Sequence, residues 1–367
     1  MTDEHAHLNF CLRLHRALAA DPDTTSCWSP FSVASALSLL TAGASGETRD
    51  ELSAALADGD HADLVELLEE AGELAPVGER DDPPQLAVAN TLWADASISV
   101  REEFVTELAA RRGGGVREAP FHEDPAKARR LINNDVAETT NGLIPELIPS
   151  GALRADTVSA LVNALYLKVA WRFRFSEQAT TDRPFRSPAG RIEVPTMQLT
   201  ESLDYAHLGG WQAVGLPALG DVQAVVLLPD SRLADAEPAL TGARLAVILG
   251  ALGRQRIALS MPKFRLSMRA DLVRALTELG VRKVFTDDAE LDGITSSRLA
   301  VHAVLHEAVL NVDEQGIEGA AATAVLMRTV AAMISRPVTV QVDRPFLLLV
   351  RHQESGAVYF MARVTEP

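Results

Sequence analysis

Leu8, Cys11, Leu12, Leu18 and Ala19 recur on one face at helical spacing, which predicts an amphipathic helix at the start of the chain. Ser29-Pro30 predicts a second: serine as N-cap, proline at the first helical position, and Phe31, Val33, Ala34, Leu37 and Leu40 as its apolar face. Gly43 ends it, a third helix begins near Gly46-Glu47-Thr48, a fourth covers 61–75, and 76–84 reads as an exposed connector. Strand patterns then occupy 85–94, 156–171, 191–198, 222–228 and 255–267, with helical segments near 101–112, 125–140 and 269–280 between them. From 299 onward the chain is mostly β-like, at 301–313, 337–342, 346–352 and 357–364. Helices and strands do not alternate regularly and no period repeats. That excludes a solenoid, a TIM barrel and a doubly wound sheet, and it favours an α+β fold. Length alone suggests two domains, but no break in composition divides the chain, so 1–367 reads as a single domain.

Composition narrows the function. The 367 residues carry 34 Lys+Arg against 50 Asp+Glu, a formal charge of −16, and are 47 % hydrophobic and 23 % charged. This is globular composition, neither disordered nor fibrous. An acidic chain repels phosphate backbones, so a nucleic-acid partner is not expected. No apolar run reaches about 18 residues, so neither is a membrane span. The segment MTDEHAHLNF lacks the basic and apolar regions of a signal peptide. That points weakly to the cytoplasm and leaves secretion open. Cys11 and Cys27, the only cysteines, read as two buried thiols, with a single bridge as the alternative.

Enzyme motifs fail in turn. Gly43-Ala44-Ser45-Gly46-Glu47 lacks the glycine spacing of a nucleophile elbow and lies between helices. Gly113-Gly114-Gly115 runs into Val116-Arg117, without the Gly-Lys-Ser/Thr of a P-loop. His302 and His306 sit in a β-like run, where they would stand about 13 Å apart on one face, too far to share a metal. They read as hydrogen-bonded core histidines, and His5 and His7 as part of a solvated tail. No catalytic, metal or cofactor site is expected.

Residues 301–330 are the anomaly. Ala308, Leu310 and Val312 stand beside His306 on one face of the first part, and Leu305 and Val309 on the other, as in the middle of a covered sheet. Asp313-Glu314-Gln315-Gly316 is a turn signal. The alternate set Ile317, Gly319, Ala321, Thr323, Val325 and Met327 is uncharged and small in the middle, whereas the opposite set carries Glu318 and Arg328. The residues alone fit two readings equally: a slender strand able to slip between neighbours, or an Ala-rich helix or linker.

At this point the chain resembles the serpins. Asp313-Glu314-Gln315-Gly316-Ile317-Glu318-Gly319-Ala320-Ala321-Ala322-Thr323 is similar to the D-E-x-G-T-E-A-A-A-A-T hinge of their inhibitory members, with Gly319 where Ala is preferred. Ser29-Pro30-Phe31-Ser32 resembles the family's S-P-x-S. Ile132-Asn133 with Thr140-Asn141-Gly142 resembles a second motif, Asp135 standing where Trp is usual. Leu161–Lys168 with Trp171, Pro262-Lys263-Phe264, Arg344-Pro345-Phe346 and Phe360–Pro367 also fit, with Ala362 in place of Gly. The lysine-poor chain looks like a bacterial, thermophile-type member.

The resemblance implies eight or nine helices around three β-sheets and a long exposed reactive-centre loop, about 315–336. It implies a protease inhibitor rather than an enzyme: a metastable trap whose cleaved loop inserts as a central strand while the target serine protease, chymotrypsin- or elastase-like, remains bound as an acyl complex. The alternative is a non-inhibitory member that binds, stores or assists folding. A monomer without cofactor is expected. Carried onto this chain, the hinge is Gly316, Ile317, Glu318, Gly319, Ala320, Ala321, Ala322 and Thr323. Ser29, Ser32, Asn163 and His306 match a polar cluster called the shutter, and Trp171, Lys263 and Glu314 the breach, Glu314 and Lys263 as an ion pair. Thr25 replaces a shutter asparagine. Counting from Glu314 places the reactive bond at Val330–Ala331, with Met327, Arg328 and Thr329 as alternatives.

Overall fold

The computed structural model describes residues 2–56, 61–78, 83–109, 111, 114–153, 157–317 and 336–367. Nine α-helices lie among them: α1 (Thr2–Leu18), α2 (Pro30–Gly43), α3 (Gly46–Leu56), α4 (His61–Ala71), α5 (Glu102–Ala109), α6 (Pro125–Thr139), α7 (Leu233–Ala236), α8 (Gly242–Gly250) and α9 (Val273–Glu278). The strands run β1 (Ser26–Trp28), β2 (Gln85–Asp95), β3 (Gly114–Ala119), β4 (Ser159–Ala170), β5 (Thr181–Ser187), β6 (Gly190–Leu208), β7 (Trp211–Pro217) and β8 (Val222–Pro229). They continue as β9 (Gly253–Pro262), β10 (Phe264–Asp271), β11 (Val304–Val312), β12 (Gly316–Ile317), β13 (Val338–Gln341), β14 (Phe346–His352) and β15 (Val358–Val364).

Helices and strands are segregated, as the α+β expectation required. One sheet has the order β10-β11-β12-β4-β2-β3. A second follows β1-β15-β14-β8-β7-β6-β9-β13, and β5 branches from it by pairing with the first part of β6, which makes the third sheet region. The main core lies between the two large sheets, and α2 is sunk in it. Pro30 and the Ser29 hydroxyl, which accepts the Ser32 N–H, start this helix, and most of it is buried because its apolar residues run all round. The first sheet is covered on both faces. Leu161, Leu165, Leu167 and Val169 of β4 face the main core, while Ala160, Val162 and Ala164 face α6 through Ile132 and Val136.

Several expectations change. The run 255–267 is two strands broken at Lys263, whose N–H turns away to the Pro195 carbonyl. β10 then continues to Asp271, so the helix expected from 269 starts only at Val273. The strand expected over 191–198 runs on to Leu208, because it pairs with β9 over Thr196–Tyr205 and with β7 from Asp204 to its end. His7 is not in a solvated tail: it is fully buried and accepts the Val358 N–H at 3.0 Å. His302 is exposed rather than in the core. Cys11 and Cys27 are free and buried. Among the described residues no helix is long and apolar enough to cross a membrane, and no cluster of metal-ligating side chains occurs.

Candidate functional site

The site is a seam in the first sheet. β4 and β11 are parallel and directly paired at one end, Leu161–Ala164 against Val304–Glu307. At the other end β12 lies between them, antiparallel to both, with Ile317 opposite Val169 on one side and Val312 on the other. The wedge is two residues long.

What starts the wedge is a tight turn. The Asp313 N–H donates to the Gly316 carbonyl at 3.1 Å, and the Asp313 carboxylate accepts the N–H groups of Gln315 and Gly316. Trp171 closes the same end: its indole N–H donates to the Asp313 carbonyl at 2.8 Å and its backbone N–H to the Gln315 carbonyl. Glu314 is nearly buried and pairs with Lys263 at 3.2 Å. Burial alone would raise the Glu314 carboxyl, but the Thr180 hydroxyl, a backbone N–H and Lys263 outweigh it and hold it below the usual range. Trp171, Lys263 and Glu314 are thus brought together at the mouth of the seam.

Gly316 is there for space. A Cβ would sit 2.1 Å from the Val169 carbonyl oxygen and 2.8 Å from the Ala170 Cα, both backbone atoms that cannot swing aside. Gly316→Ala should therefore push β12 off the edge of β4 and cost on the order of 2 kcal/mol in chemical denaturation. An unchanged denaturation midpoint would show that β12 is not held against β4.

At the closed end of the seam, Ser29, Ser32, Asn163 and His306 form one buried cluster. His306 Nε2 accepts the Ser29 N–H at 3.1 Å, so the ring proton lies on Nδ1, which donates to Asn163 Oδ1 at 2.6 Å. The Asn163 amide donates to the Ser32 carbonyl and to Asn90 Oδ1. Burial pushes the His306 pKa down to about 4, keeping the ring neutral. A neutral imidazole can both donate and accept, as this geometry requires. The His306–Asn163 bond spans the β4–β11 boundary directly, so the polar cluster lies across the line along which the two strands would part.

Thr25 does not join the cluster. Its hydroxyl accepts the N–H groups of Thr365 and Glu366 and ties down the end of β15 instead. Asp135, on the buried face of α6, meets Arg117 at 2.6 Å, and Arg117 stacks over Trp93. Glu318, Gly319, Ala320, Ala321, Ala322 and Thr323 of the hinge, and the candidate bond residues Met327, Arg328, Thr329, Val330 and Ala331, lie outside the described residues. Two partners escaped the sequence reading. Asn90 stands opposite Asn163 in the β2–β4 register, and its only sequence signal is a polar residue inside an apolar strand. Thr180 acts through a contact with Glu314 that no motif marks.

A family model described as "Serpin (serine protease inhibitor)" matches residues 5–367. The leukocyte elastase inhibitor of Bos taurus is 32 % identical over 353 residues, covering 92 % of this chain and 92 % of that one. The alpha-1-antichymotrypsin of Homo sapiens is 32 % identical over 375 residues, 99 % of this chain and 87 % of that one. Among solved structures, thyroxine-binding globulin in complex with thyroxine superposes with a TM-score of 0.86 over 100 % of this chain and 99 % of its own, at 23 % identity, a likeness of fold alone. With the family model spanning nearly the whole chain and relatives above 30 % identity, this chain belongs to the serpin family.

Proposed function

We propose that this protein inhibits serine proteases as a suicide substrate, its cleaved loop entering the first sheet as a new strand between β4 and β11. The observation that carries this reading is the wedge: β12 already occupies the open end of the seam, antiparallel to both neighbours, as the first two residues of such a strand would. The small, uncharged alternate set after Gly316 suits the rest of the path. About fourteen further residues at about 3.3 Å each would carry an attached protease roughly 45 Å. At about 0.5–1.5 kcal/mol net per backbone hydrogen bond, insertion would release on the order of 10 kcal/mol. That is enough to deform an active site held by interactions of a few kcal/mol. The names of two relatives, an elastase inhibitor and an antichymotrypsin, direct the choice of target to elastase- and chymotrypsin-like enzymes.

The test is a panel of such proteases mixed with the protein and run on denaturing gels. A denaturant-resistant adduct is expected with at least one of them, and mass spectrometry of the released peptide would locate the cleaved bond, expected at Val330–Ala331. Clean cleavage without adduct, and no rise in melting temperature of the nicked protein, would instead favour a non-inhibitory member.

A further inference from the structure

We infer that the cleft between the end of β5, the segment leading into α7 and the turn joining β13 to β14 is a binding site for a short zwitterionic peptide, of dipeptide size. The cleft measures about 550 Å³, within the roughly 300–1,000 Å³ typical of small-molecule sites. Its walls carry charges of both signs, and most of these already have partners. Arg186 and Arg344 share the Asp343 carboxylate, at 2.9 and 3.2 Å, and Asp230 accepts from His207 Nε2 at 2.9 Å. Arg232 and Asp23 remain. Both are exposed and line the same cleft, yet neither is in an ion pair among the described residues. A cation and an anion that line one space without meeting suit an occupant with the opposite charges at its two ends.

Ser187 is an independent sign of a ligand. It lines the cleft at the end of β5, is 9 % exposed, and its hydroxyl has no hydrogen-bond partner among the described residues. A buried hydroxyl left unpaired is uncommon and costly, and the peptide unit of a dipeptide offers it both a donor and an acceptor. Pro188, Leu233 and Pro345 give apolar wall for a side chain. The peptide's carboxylate would pair with the Arg232 guanidinium, whose fork of N–H donors matches it, and its ammonium with Asp23. A lone anion or a lone cation would leave one of the two unmatched. None of this depends on the protein being an inhibitor.

Alanyl-leucine titrated into the full chain by calorimetry provides the test, beside its N-acetyl and C-terminal amide forms. Saturable one-to-one binding at low-millimolar peptide is expected, and blocking either terminus should weaken it about 3- to 10-fold. Arg232→Ala should weaken the free dipeptide by the same factor and leave the amide form, which has already lost its carboxylate, unchanged. Asp23→Asn should weaken the free dipeptide and spare the acetyl form. Both side chains are exposed, so the two variants should keep the parent melting curve. Ser187→Ala should weaken all three forms about 2- to 10-fold. No saturable binding, or binding that neither Arg232→Ala nor Asp23→Asn weakens, would overturn the site. Equal weakening of the free and blocked forms by those variants would overturn the charge assignment, and equal affinity in Ser187→Ala would overturn the part given to its hydroxyl.

Discussion

Under the proposed trapping mechanism, replacing Thr323 by arginine is expected to turn the protein from an inhibitor of its protease into a substrate. The register of the wedge says where this residue would go. Ile317 stands opposite Val169 and Val312, and six residues further along the same antiparallel strand Thr323 would stand opposite Asn163 (169 − 6) and His306 (312 − 6). Val169 and Asn163 are an even number of residues apart on β4, so both face the main core, and Thr323 would face it with them. Its hydroxyl is small and can hydrogen-bond within the polar cluster. An arginine would carry an unpaired charge into a site where Asn163 and His306 are both 0 % exposed. The cost of several kcal/mol is a large part of what insertion releases. Insertion should stall near the middle of the seam, leaving the acyl-enzyme time to hydrolyse. On denaturing gels, adduct yield should fall at least 10-fold and cleaved protein should replace it. Undiminished adduct with Thr323→Arg would remove strand insertion as the mechanism.

Acid should undo the fold through its buried histidines. Burial holds both His7 and His306 at a pKa of about 4, whereas histidine in an unfolded chain titrates near 6.5. Between those values the unfolded chain takes up protons that the folded one refuses. Stability from this source is therefore complete above about pH 6.5, falls as pH drops towards 4, and is flat below. At about 1.4 kcal/mol per pH unit per group, the loss is on the order of 3 kcal/mol for each histidine. Glu237 acts in the same direction at lower pH. Burial alone would raise its carboxyl, but His15 and Arg363 hold it down to about 2, so its contribution is lost as pH falls from the usual carboxylate range through that value. Denaturation free energies measured from pH 7 to 4 should drop steeply. In His306→Gln, whose amide can still accept from Ser29 and donate to Asn163, the slope should be smaller by about one proton. An identical slope in that variant would mean that His306 does not stay neutral in the fold.

Much of the first sheet was legible because its signals are local. The cap and proline of α2, the two apolar faces of β11 and the turn at Asp313–Gly316 are each written within a few consecutive residues, and each appears where the pattern placed it. β3, by contrast, is a short edge strand beginning at two glycines, half-exposed along most of its length, with no alternation to read. β8 is buried throughout and β7 at every residue but Gln212, so their sequences carry little period-2 signal, and only β8 was identified. His7 was misread because four polar or charged residues precede it, while what buries it is the distant β15.

Local pattern by itself settled the two apolar faces of β11, where α2 begins, and that the stretch after Gly316 is slender and uncharged on one side. The tertiary structure alone decided which strands are neighbours. Asn163 and His306 are 143 residues apart, and Asn90 and Asn163 are 73 apart, yet they share one hydrogen-bonded array. The physical reason is that side-chain periodicity orients a segment towards water or core, whereas strand partners and register are chosen by packing and hydrogen bonding summed over the whole molecule. A seam that is closed at the His306 end and wedged open at the Gly316 end is a relation between three strands, and it exists only once all three have met.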